Sequence, residues 1–75
     1  MIYSTHMLRH LRVVVGRNIH RLRAERQMAL RKLAAASGVA DALIEKYEIG
    51  KDDIQLHELL KIACVLDVRV SALFE

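Results

Sequence analysis

Few residues in this 75-residue chain have the type and spacing for chemistry. His6 and His10 stand four apart, the separation that puts two imidazoles on one helix face and could suit a metal pair. No third ligand lies near them in sequence, so they read as a surface pair or a tag remnant. His6-Met7 resembles a cloning junction, which would make residues 1–7 foreign. His20 and His57 stand alone and read as ordinary surface or rim residues. Cys64 is the only cysteine, which excludes an internal disulfide and a thiolate-held zinc and fits a reducing compartment. No Ser/His/Asp grouping, glycine-rich phosphate loop or carboxylate pair can be assembled. A chain this short has little room for a catalytic pocket of roughly several hundred Å3. Neither enzymatic activity nor a bound cofactor or metal is expected.

The charges are more informative than the nucleophiles. Residues 1–40 hold eight Lys/Arg and one acid, Glu25, whereas residues 41–75 hold four Lys/Arg and eight acids. That polarity favours a polyanion approaching from one side, although solvated helix faces would produce a similar count. No apolar run approaches the roughly 20 residues that cross a bilayer. Met1 to Arg9 also lacks the basic-then-apolar order of a secretory signal, so a cytoplasmic location without membrane contact is expected.

The elements that must carry these residues follow from apolar spacing, which is helical nearly throughout. Leu8, Leu11, Val15, Ile19 and Leu22 recur at three- and four-residue steps and predict a first helix ending near Arg26. Val13-Val14-Val15 is β-branched, but the flanking periodicity argues against a strand, and Gly16 should weaken the helix there. A second helix is expected over Ala29–Ala36 with Leu33 and Ala34 inward, ended at Ser37-Gly38. A third spans Asp41 to Tyr47 or Glu48, burying Ile44 and Tyr47, and closes at Gly50. After the polar connector Lys51-Asp52-Asp53, a fourth runs from about Gln55 to Leu66. Its expected inner stripe is Leu56, Leu59, Leu60, Ala63 and Leu66. Val70–Phe74 make a short fifth helix that returns Leu73 to the core. The expectation is all-α: a compact five-helix bundle in which residues 1–15 form an extension running into helix 1 and residues 16–75 form the domain. With no disulfide, and about 60% of its unfolded surface buried, so small a domain should gain stability from a partner subunit.

The second and third helices meet at Ala36-Ser37-Gly38-Val39, a tight glycine turn between two short helices. Around it the chain resembles the XRE family, the Cro and lambda-repressor type of helix-turn-helix domain. The matching residues are Gly16-Arg17-Asn18-Ile19, Leu22-Arg23, Leu33-Ala34, Gly38-Val39, Ile44 and Tyr47-Glu48-Ile49-Gly50-Lys51. They continue as Leu56, Leu59-Leu60-Lys61-Ile62-Ala63, Leu66, Val68 and Leu73-Phe74, so the likeness covers most of the chain without a gap.

The resemblance implies a lambda-repressor-like fold, a role in binding double-stranded DNA, and a bacterial, phage or plasmid origin. It implies a structural salt bridge between Arg23 and Glu48, tying the first helix to the end of the recognition helix. It assigns DNA contacts to the recognition helix and its flanks at Ala40, Asp41, Ala42, Glu45, Lys46 and Lys51. Backbone contacts fall at the start of helix 2, on Leu30, Arg31 and Lys32. The departures from the family pattern are concentrated there. Ala29 stands where a Ser or Thr cap is usual, and Leu30 where a glutamine is common. Among the third-helix positions only Lys46 can donate, and only Asp41 or Glu45 can accept, for instance from a cytosine amine. Asp41 reads as a first-turn acid facing the helix dipole, and Glu45 as a partner for Arg31 or Lys32. Leu30 and Leu43, if outward, would form an apolar patch of the kind that meets proteins.

The expected function is a sequence-specific or weakly specific DNA-binding transcriptional regulator of small repressor, antitoxin or controller type, acting as a homodimer. Leu8, Leu11 and Val15, or the Val68–Phe74 end, would supply the dimer contact. The alternative is a protein-interaction module that keeps the fold and uses the recognition-helix face to hold a protein partner.

Overall fold

The three-and-four spacing that begins at Leu8 continues without interruption past Gly16. A single helix, α1, accordingly runs Thr5–Glu25 and takes Val13-Val14-Val15 with it. The computed structural model describes residues 5–75, with side chains described from His6 onward; the cloning-junction reading of residues 1–7 therefore falls partly outside the described residues. Three further helices follow: α2, Leu30–Ser37; α3, Asp41–Glu48; and α4, Leu56–Leu66. The described residues contain no strand.

The element at Val70–Phe74 is a 3-10 helix, so the described chain has four α-helices where five helices were expected. Five residues between Arg69 and Glu75 give room for little more than one turn. Tight i to i+3 bonding, as from Ala72 N–H to the Arg69 carbonyl at 2.9 Å, is the usual form of so short a piece.

Two of the helices end on a residue in the left-handed region. Gly38 caps α2 in the left-handed region at φ 75°, and its N–H reaches the Ala34 carbonyl at 2.9 Å. Asp67 takes the same conformation at the end of α4, at φ 59°, which its short polar side chain tolerates better than most.

The core gathers one stripe from every element: Val15, Ile19 and Leu22 of α1, Leu33 of α2, Ile44 and Tyr47 of α3, Leu59, Ile62, Ala63 and Leu66 of α4, and Leu73. The α4 stripe differs from the sequence expectation. Leu56 and Leu60 are 66% and 48% exposed, and Ile62 takes the interior position instead. Residues 59, 62, 63 and 66 already fill the arc of α4 that faces its neighbours, which leaves 56 and 60 on the other side. α1 packs on α3, α4 and the 3-10 helix, while α2 packs on α3 and α4. Asn18 fastens the closing turn by donating from Nδ2 to the Leu73 carbonyl at 2.9 Å. No described helix is long and apolar enough to cross a membrane.

Candidate nucleic-acid interface

Two short helices packed on one another and joined through Gly38-Val39-Ala40 make the helix-turn-helix of this chain. Ile44 and Tyr47 anchor α3 from below, at 0% and 1% exposure. The opposite side is open, and Ala40, Asp41, Ala42, Glu45, Lys46, Ile49 and Lys51 are all exposed. On α2, Arg31 and Lys32 are also exposed.

Leu30 and Leu43 behave otherwise than a surface patch requires. Both are only partly exposed and pack against the core, so no apolar patch forms between α2 and α3 from these two residues. The 3.6-residue repeat of eight-residue helices rotates them onto the flank of the buried stripe. Leu30 can therefore meet a ligand through its backbone more readily than through its side chain. Neither α2 nor α3 has a side-chain cap from the residue before it, because Ala29 and Ala40 supply none. Asp41 instead accepts the Ala42 N–H at 2.8 Å. Its carboxylate is thus engaged at the positive end of its own helix, where a negative charge is favourable.

Glu45 does not pair with Arg31 or Lys32. Among the described residues its carboxylate has no ion-pair or side-chain hydrogen-bond partner. Lys46, Lys51, Arg31 and Lys32 likewise carry no ion pair among the described residues, so four exposed cations on α2, α3 and the turn after α3 keep their charges uncommitted.

The end of α3 is held by Arg23. Its Nε and Nη2 donate to Glu48 Oε2 and Oε1 at 2.8 and 3.0 Å, a bidentate contact that fixes orientation as well as attraction. The third nitrogen of the same guanidinium donates to the Met28 carbonyl at 2.9 Å, so one side chain joins α1, the α1–α2 turn and α3. The pair is largely buried, with side-chain exposures of 16% and 9%. Burial alone would raise the Glu48 carboxyl, but the hydrogen bonds from Arg23 and from His20 outweigh it and hold the group below its ordinary range. The hydrogen bond to Glu48 raises Arg23 in turn, against the opposing effect of burial.

His20 joins this cluster, with Nδ1 3.2 Å from Glu48 Oε1, although nothing in its sequence context sets it apart from His57. Two other links also escape sequence reading. Tyr47 is buried, and its hydroxyl donates to Glu58, bridging α3 to α4. Burial first, and then that hydrogen bond, raise the Tyr47 hydroxyl well above its ordinary value. Arg12 Nε meets Asp53 Oδ1 at 2.6 Å across 41 residues of sequence and neutralises an acid on the loop that follows α3. Ile49, 59% exposed, is also part of the outer face. It stands four residues after Glu45, a spacing that could have marked it.

No group of three metal-ligating side chains occurs among the described residues. The described cavity is a groove of about 140 Å3 with an apolar lining, bounded by the first half of α1, residues 53–54, Leu59 and Phe74.

The sequence model of the family described as Helix-turn-helix matches residues 19–73. The chain belongs to that family. No curated protein matches it by sequence. Among solved structures, the restriction-modification controller protein C.AhdI from Aeromonas hydrophila is similar, with a TM-score of 0.81 and 28% identity over 84% of this chain and 96% of that one. An HTH_3 family transcriptional regulator from Vibrio cholerae superimposes with a TM-score of 0.84 and 27% identity over 89% of this chain, which spans 38% of that regulator. The clp gene regulator ClgR from Corynebacterium glutamicum gives a TM-score of 0.80 and 27% identity, covering 84% of this chain and 67% of its own.

Proposed function

We propose that this helix-turn-helix protein is a cytoplasmic, non-enzymatic transcriptional regulator that binds double-stranded DNA as a homodimer. The observation that carries the reading is an α3 with one exposed side, together with four exposed cations of the helix-turn-helix and the turn after it, Arg31, Lys32, Lys46 and Lys51, none of them committed to an acid. Cations free to meet phosphate supply the sequence-independent attraction on which DNA binding rests, and an exposed helix of this size enters a major groove. Uncapped first-turn amides of α2, at Leu30 and Arg31, add donors that suit phosphate. Similarity to a restriction-modification controller, matched over 96% of that protein's length, favours the controller type over a small repressor or an antitoxin.

A second copy is the partner that fits the apolar groove. Its lining includes Leu8 and Phe74, each 46% exposed, from opposite ends of the described sequence. The groove draws on both segments that the sequence offered for a dimer contact, through Leu8 and Leu11 of the first and Phe74 of the second, although Val15 is 4% exposed and contributes from beneath. A two-fold contact on such a patch is self-complementary and can set two recognition helices about one DNA turn apart. A protein-docking role for the recognition face has less support, because Leu30 and Leu43 are drawn into the core's flank.

Fluorescence anisotropy against the duplex upstream of the protein's own gene, repeated across a salt series, tests the reading. Salt-dependent binding that Lys46→Ala weakens is expected. Absence of duplex binding even at low salt refutes it.

A further inference from the structure

The outer face of α3 has an unusual composition for a surface that meets a polyanion. Glu45 lies at its centre, with Ala42 three residues before and Ile49 four after, so the three share one stripe. All three are exposed. The Asp41 carboxylate is engaged with the Ala42 N–H, and no cation covers Glu45. A single uncommitted carboxylate therefore points away from the bundle between a methyl group and an aliphatic side chain. In a major groove it would meet base edges at close range, with no amide or guanidinium from α3 to share them.

We propose that Glu45 is the specificity-determining residue of this interface, accepting a hydrogen bond from the exocyclic amine of a cytosine. This inference rests on the DNA-binding reading above and adds which bases the face selects. A carboxylate can only accept. Guanine presents two acceptors in the major groove and thymine an acceptor beside its methyl; adenine presents an amine but sets its N7 acceptor beside it, against the second carboxylate oxygen, whereas cytosine presents an amine donor with no acceptor of its own beside it. Guanine opposite Glu45 would set acceptor against acceptor at a site already unfavourable for negative charge, so discrimination comes from repulsion as much as from attraction. Ala42 is too small to hold the base edge away, and its methyl suits contact with a thymine methyl on the neighbouring pair. Lys32, Lys46, Lys51 and Arg31 bring DNA to the surface, and the carboxylate opposes every sequence that does not supply an amine.

The test is selection from a randomised duplex pool by the wild-type protein, Glu45→Gln and Glu45→Ala, followed by anisotropy titration of selected and random duplexes. The wild type is expected to enrich one C·G pair per half-site and to prefer it by about 5- to 150-fold over other pairs, the usual cost of one mismatch. Glu45→Gln should move that preference toward adenine, which an amide can bind in bidentate fashion. Glu45→Ala should lose the preference and bind random duplex more tightly than the wild type, a gain that a merely structural role would not produce. Both variants should melt with the wild type, since the side chain holds nothing in the fold. A wild-type motif without a conserved C·G pair, or a motif unchanged in Glu45→Ala, overturns the inference while leaving DNA binding intact. Failure of the wild-type protein to bind any duplex at low salt overturns the DNA-binding reading and this inference together.

Discussion

Replacing Gly16 with alanine sets two physical arguments against each other. Gly16 lies within α1 with no left-handed backbone to require it. By helix propensity the substitution should stabilise the protein by about 1 kcal/mol. The tertiary structure reverses the sign. A Cβ on Gly16 would lie 2.9 Å from the Glu48 carbonyl oxygen and 3.0 Å from its carbon, and closer still to the carbonyl oxygen of Tyr47. These are backbone atoms at the end of α3, so no side chain can rotate aside. α1 and α3 would have to separate by roughly an ångström, straining the Arg23–Glu48 contact that joins them. Overpacking of this kind costs about 1–3 kcal/mol and sometimes more. Taking the upper part of that range and subtracting the propensity gain leaves a net loss of about 2 kcal/mol. At about 4–8 °C per kcal/mol for a domain of this size, the melting midpoint should fall by about 8–16 °C. Thermal unfolding followed by circular dichroism reads this directly. Gly38→Ala is the control: its Cβ meets nothing within 4 Å, and only the strain of φ 75° opposes it, so it should lose about 1 kcal/mol. A Gly16→Ala midpoint equal to or above that of the wild type would refute the close approach of α1 and α3.

Four further outcomes follow from other contacts of the fold. Arg23→Ala should lose on the order of 3 kcal/mol at neutral pH, because Glu48 is left largely buried without its cation. Glu48 is depressed in the fold, so its contribution is present above the ordinary carboxylate value of about 4.3 and vanishes as pH falls through the lower folded value. The melting difference between wild type and Glu48→Gln should accordingly be widest near neutrality and narrow in acid; a constant gap contradicts the pairing. Tyr47→Phe should cost about 1 kcal/mol by leaving Glu58 without its donor. Since the Tyr47 hydroxyl is raised, its contribution is complete below about pH 10 and fades as pH rises further, so denaturant midpoints of the two proteins should converge in alkali. For the proposed dimer, Leu8→Glu or Phe74→Glu should shift sedimentation toward the monomer while leaving helix content unchanged, and an unaltered sedimentation profile would remove the groove from the interface.

What the sequence determined by itself was the set of helices and most of the core. Ile19, Leu33, Ile44, Tyr47, Leu59, Leu66 and Leu73 are buried as their three-and-four spacing requires, because periodicity is a local property of the backbone that needs no knowledge of neighbours. The glycine turn at Gly38 and the family motif around Tyr47-Glu48 were equally legible, the first from chain geometry and the second from resemblance. Direction around a helix axis was not. Leu56 and Leu60 are exposed while Leu30 and Leu43 flank the core, since α2, α3 and α4 carry apolar residues on more than one side and only packing selects the side that is covered. Long-range partners were also out of reach: Arg12 with Asp53, Tyr47 with Glu58 and His20 with Glu48 depend on how α1, α3 and α4 cross. Gly16 combines both cases, for its local effect on α1 is plain in the sequence, whereas its contact with the end of α3 exists only after the helices have packed. Glu45 is the converse: the sequence offered it Arg31 or Lys32 as a partner, and only the assembled fold leaves its carboxylate without one among the described residues.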